Sequence, residues 1–209
     1  MKNKTMWLST ALCMVPILFG VSIYNQLPEM VPTHFDLLGN PNGWSSRPMA
    51  VFGIPLLLAA MNLLCHWLTG RDEKTRQASP KALLSVVYWI IPVIGLFLIP
   101  MSLFEGMGIR MPIPFFSCTL IGVLFVVIGN YLPKCKPNRH MGIKLPWTFA
   151  SEENWYKTHR FGGKVWVAAG FIIIFAELLE IWWLVFPVLM AAVILPCGYS
   201  YLEWKKENK

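Results

Sequence analysis

His34 and Asp36 stand two residues apart in the segment LPEMVPTHFDLLGNPNGWSSRP, beside Asn40, Asn42, Trp44 and Arg47. An imidazole and a carboxylate at i and i+2 offer two ligands to a metal ion, but no third partner accompanies them, so a folded cap is favoured over a metal centre. A second concentration of reactive residue types follows Asn130, where His140 and His159 are candidate bases with Glu152 and Glu153 alongside. No GxSxG, HExxH or glycine-rich phosphate loop goes with them, so neither catalysis nor a cofactor is expected. Cys13, Cys65, Cys118, Cys135 and Cys197 contain no CxxC pair, and their spacing suits neither a zinc site nor a disulfide framework.

The elements that position these residues are membrane spans. Of the 209 residues 56% are hydrophobic and only 14% charged, against about 25% charged in a soluble domain. The apolar residues fall into blocks at Met6–Tyr24, Met49–Thr69, Ala82–Phe104, Ile113–Leu132 and Val165–Leu202. An α-helix needs about 20 residues to cross the hydrocarbon, so the last block is divided into two short helices with a turn near Glu177–Trp183. The fold class is therefore all-α, a polytopic membrane bundle of about six transmembrane helices. Continuous apolar runs without alternation argue against a barrel. The first block has no small-x-small cleavage site after it and reads as a retained helix rather than a signal peptide.

Sixteen of the 18 lysines and arginines fall in the N-terminus, the second and fourth connections and the tail, leaving Arg47 and Arg110 on the opposite side. Because cytoplasmic loops are enriched in cations, both termini are expected in the cytoplasm of a cell-membrane protein. The net charge of +7 then marks topology and attraction to the lipid bilayer, not direct nucleic-acid binding. Asn62 and His66 share a face of the second helix near its inner end, where hydration is expected. A transporter would place ionisable groups at the bilayer centre, and the spans show few.

Two polar connections look specified. The outer loop 25–48 has Pro28 and Pro32 at its entry, with turns imposed by Gly39, Pro41 and Gly43. In the cytoplasmic connection 133–163, Ser151 is a plausible N-cap followed by Glu152 and Glu153, and Gly162 or Gly163 supplies a stop. That pattern predicts a short helix, about Glu152–Phe161, with Trp155 and His159 on one face and Glu153 paired with Lys157 on another.

The outer segment LPEMVPTHFDLLGNPNGW resembles a small membrane module of unknown function that often precedes the SdpI domain. The stretch GNYLPKCKPNRHMGIKLPWTFASEENWYKTHRFGG resembles the SdpI signature itself. The matching positions are Asn130, Pro137, Asn138, Gly142, Ile143, Pro146, Trp147, Thr148, Trp155, Thr158, His159 and Gly163. Lys144 and Leu145 depart from the usual Arg and Thr; lysine keeps the charge without the planar two-pronged donor. The resemblance implies a two-helix module over 1–70 and a four-helix SdpI-like module over 82–204. It also implies immunity to a secreted peptide toxin, with signalling through a winged-helix repressor held at the membrane. On that reading His34, Asp36, Asn40, Asn42, Trp44 and Arg47 serve ligand recognition. Asn130, Pro137, Asn138, Gly142, Lys144, Trp147, Thr148, Trp155, Thr158, His159 and Arg160 serve partner docking or signalling. A small-molecule transporter and an enzyme at the cytoplasmic face are the competing classes.

Overall fold

The computed structural model describes residues 2–208; Lys209, one of the tail cations, lies outside them. Eight α-helices and one β-hairpin follow in chain order among these residues: α1 Lys2–Ser22, β1 Met30–Phe35, β2 Pro41–Ser46, α2 Ile54–Arg71, α3 Glu73–Ala78, α4 Lys81–Gly106, α5 Ile113–Tyr131, α6 Pro146–Ala150, α7 Glu152–Leu178 and α8 Val185–Glu207. Six helical stretches are long and apolar enough to cross a bilayer, namely Lys4–Ser22, Met49–Arg71, Lys81–Gly106, Ile113–Lys134, Glu152–Leu178 and Trp182–Glu207. The chain is a polytopic, all-α membrane protein carrying one extramembrane hairpin.

Two compact units emerge, Met1–Arg71 with Val87–Ser117 and Asp72–Val86 with Cys118–Lys209. Most of α4 thus joins α1 and α2, a division different from the 1–70 and 82–204 modules that the resemblance implies. In the first unit Leu27, Val31, Ala50, Val51, Ile99 and Leu103 form a buried cluster that seats the hairpin on the helices. A Cβ on Gly20 would lie 2.7 Å from the Val51 side chain, so glycine here permits close approach of α1 to the turn before α2. That turn, Met49–Gly53, is wider than an α-helical turn, with the Ile54 amide bonded to the Met49 carbonyl.

In the second unit α5 and α7 approach at two glycine pairs. A Cβ on Gly129 would stand 2.8 Å from the Gly163 carbonyl oxygen, and one on Gly170 would stand 2.4 Å from that of Gly122. Small residues at such crossings let backbones touch, which is how apolar helices gain packing where no hydrophobic force drives them together.

The expected short helix Glu152–Phe161 is corrected: it is the first third of α7 and continues unbroken into the fifth span. Gly162 and Gly163 do not stop it, since neither takes a positive φ. Both are buried, and they admit Ile143 and the α5 backbone respectively. The last two spans are accordingly long rather than short, and the chain turns between them at Leu179–Ile181, with Glu180 at φ 55°.

Candidate functional site

The hairpin is held by its own polar side chains. Asp36 Oδ1 accepts from the amides of Leu38 and Asn40, each at 2.8 Å, and Oδ2 accepts from Asn40 Nδ2 at 3.2 Å. These donors, the Asn40 amide first, hold the exposed Asp36 carboxyl below its usual pKa. Gly39 supplies φ 82° in the turn. His34 Nδ1 bonds Asn42 Oδ1 across the strands, and Gly43 opposite His34 would bring a Cβ within 2.9 Å of the His34 side chain. Arg47 donates through Nε to the Pro28 carbonyl at 3.1 Å and lies over the Tyr24 ring.

Five of the six residues expected to recognise a ligand therefore have structural partners. Trp44 is different, being 53% exposed. Two exposed neighbours in the turn, Leu37 and Leu38, went unnoticed in the sequence reading. The apolar residues flanking Asp36, Phe35 before it and the two leucines after it, were the available signal. No group of three or more His, Cys, Asp or Glu suited to a metal occurs among the described residues.

The basic connection closes on α7 as a lock. Asn138 Oδ1 accepts from the amides of His140 and Met141 at 3.0 and 2.7 Å, turning the chain so that Gly142 can adopt φ 112°. A Cβ on Gly142 would fall 2.3 Å from His159 Nε2 and 3.0 Å from the Trp155 ring, so only glycine fits. His159 Nε2 accepts from the Ile143 amide at 3.0 Å, and its Nδ1 lies 2.7 Å from the Trp155 carbonyl. A carbonyl only accepts, so the proton sits on Nδ1 and the imidazole is neutral with both nitrogens satisfied. Trp155 stacks on it at 4.1 Å and donates through Nε1 to the Cys135 carbonyl at 2.9 Å.

Further contacts brace this lock. The Thr148 hydroxyl accepts from the Leu145 amide at 2.8 Å, capping α6. Trp147 packs edge-on against Tyr201. Asn154 Nδ2 donates to the Ser200 carbonyl, while its Oδ1 accepts from Ser200 Oγ and Thr158 Oγ1, tying α7 to α8. Burial pushes the Cys135 thiol pKa up. Asp72 caps α3 through the Thr75 hydroxyl and amide, which lower its pKa, and also meets His140 at 3.2 Å.

The eleven residues expected to dock a partner thus divide. Asn138, Gly142, Trp147, Thr148, Trp155, Thr158 and His159 build the lock, whereas Asn130, Pro137, Lys144 and Arg160 remain exposed around it. Trp155 and His159 are fully buried and can touch a docked protein only if the segment opens.

Residues 134–200, which take in the lock, α7 and α8 as far as Ser200, match the model of the SdpI/YfhL protein family, and residues 11–59 match a domain of unknown function (DUF1648). Over residues 134–200 the chain is similar to the SdpI family. The immunity protein SdpI of Bacillus subtilis (strain 168) is 28% identical over 206 residues, 96% of each chain. No solved structure matches. Within the matched stretch, the parts played by Cys135, Asn154 and Ser200 escaped the sequence reading. Their roles depend on partners 20 and 46 residues away, and nothing local marks them.

His66, expected to be hydrated, is instead buried: its Nε2 lies 2.8 Å from Ser9 Oγ and its ring stacks on Tyr88. Asn62 joins the same cluster, its Oδ1 accepting from Ser9 at 3.3 Å. The partner on α1 is 57 residues distant in sequence, which is why helical spacing alone suggested a wet face.

Proposed function

We propose that this protein is a bacterial cell-membrane immunity protein that protects its host from a secreted peptide toxin. The observation carrying this reading is the similarity to an immunity protein across 96% of both chains. In the proposed orientation both termini and the basic connection lie in the cytoplasm and the hairpin outside, as the distribution of cations favours. The hairpin then receives the toxin on Trp44, Leu37 and Leu38, while the lock transmits occupancy to a winged-helix repressor held by Lys144 and its exposed neighbours.

Expression in toxin-sensitive cells tests the first part. Survival in the presence of the peptide is expected, and equal killing with and without the membrane-inserted protein would overturn it. The second part predicts co-sedimentation of the repressor with membranes only when toxin and this protein are both present. Orientation is read with an impermeant thiol reagent in a background lacking native cysteines: Asn42→Cys should react on intact cells, and Lys74→Cys and Arg139→Cys should not.

A further inference from the structure

At the polar end of α7 a cleft of about 400 Å³ opens against α8. Lys157, Arg160 and Lys164 line it, with Glu153 as the single carboxylate and Tyr156, Phe161 and Tyr199 as aromatic walls. Lys157 is already engaged, 2.7 Å from Glu153 and 3.0 Å from Glu203. Arg160 and Lys164 form no ion pair among the described residues and are exposed, so two cations face the cleft without a counter-charge. Phe161 stacks on Tyr199 at 4.4 Å and fixes the back of the cleft.

The cleft sits where α7 turns from polar to apolar, since the apolar run of the fifth span begins at Val165. Counting from Lys164 in steps of three and four along the same helix face gives Ala168, Phe171, Ile172 and Phe175, all exposed. An anion seated between Arg160 and Lys164 therefore has an outward-facing apolar stripe running from it into the hydrocarbon. A soluble anion has no use for that stripe, whereas a molecule with a phosphate head and an acyl tail matches both parts. Basic pockets between helices at a membrane surface suit anionic headgroups, and guanidinium presents the paired donors that a phosphodiester accepts.

We propose that this cleft binds the phosphate headgroup of an anionic phospholipid, with an acyl chain lying along the Ala168–Phe175 face. The inference goes beyond toxin immunity and is read without toxin or repressor. The full-length protein in mixed nanodiscs of phosphatidylglycerol and phosphatidylcholine, examined by native mass spectrometry, should retain one tightly held phosphatidylglycerol. R160Q/K164Q should weaken that binding at least tenfold, with R160Q and K164Q each giving part of the loss. K74Q/K81Q removes the same charge from exposed positions separated from the cleft by an even number of spans, and should change binding less than twofold. Millimolar inorganic phosphate should not displace the lipid. The proposal is overturned if the control pair weakens binding as much as the cleft pair, if the cleft pair retains full binding, or if inorganic phosphate competes effectively.

Discussion

The hairpin at 30–46 and the lock at 135–159 are both polar connections between spans, and they spend their polar groups in opposite ways. In the hairpin Asp36, Asn40, His34 and Asn42 satisfy backbone and one another while exposed to water, and the apolar Trp44, Leu37 and Leu38 face outward. In the lock Trp155 and His159 are fully enclosed, and charged residues such as Lys144 and Arg160 remain outside. Hydrogen bonds in water are replaceable by solvent, whereas a buried amide deprived of its acceptor keeps the full desolvation cost. Substitutions in the lock are therefore expected to act on stability, and substitutions in the hairpin on local shape or recognition.

The largest effects belong to the lock. Trp155→Ala removes a buried aromatic and the only donor to the Cys135 carbonyl from that ring, and should cost about 3–5 kcal/mol. Gly142→Ala adds a methyl group into His159 at a backbone angle that alanine tolerates poorly and should be similarly severe. Both are read as a lowered thermal unfolding midpoint of the detergent-solubilised protein; an unchanged midpoint would mean that the segment does not close on α7.

His159→Ala ranks next. It strands the Ile143 amide, a loss of about 1–3 kcal/mol. His159→Gln leaves a side-chain acceptor and should recover part of it. If the two variants unfold at the same temperature, the Nε2 acceptor is not what holds the connection.

The spans and the two specified connections were legible because apolar block length and turn-forming residues are local signals. Trp155 and His159 were found as a pair because four residues is one helical turn. What the sequence hid is tertiary. Gly162 and Gly163 look like a helix stop, yet they serve the approach of Ile143 and α5; a glycine needed for close packing and one needed for positive φ are the same letter. Likewise His66 and Asn62 look wettable until Ser9 arrives from α1.

A smaller effect is expected at Asp36. Its carboxyl is depressed in the folded hairpin, so its contribution is fully present above the ordinary carboxylate pKa and is lost as pH falls through the depressed value. Amide hydrogen exchange at Leu38 and Asn40 should stay constant from neutral pH down to that ordinary range, after correction for intrinsic rates, and protection should fall below it. Asp36→Asn should abolish the acid step while leaving the unfolding midpoint near that of the parent. A step that persists in Asp36→Asn would assign it to another group.

The smallest effect on stability should come from Trp44→Ala and from Leu37→Ser with Leu38→Ser, because these side chains are about half exposed or more and surface changes usually stay within about 0.5 kcal/mol. Their expected effect on protection is the reverse. A tryptophan held out on a ribbon braced by Thr33 with Ser45, and by Arg47 against Pro28, presents a large apolar surface at little entropic cost. Such residues dominate binding energy when a partner covers them. If the hairpin receives the toxin, these variants should reach the membrane at normal levels, unfold at the parent temperature and still leave cells at least tenfold more sensitive. His159→Ala, matched for expressed protein by induction, should protect better than they do. Full protection by the Trp44 and paired leucine variants would remove recognition from the hairpin tip and leave the tip with a role only at the membrane surface.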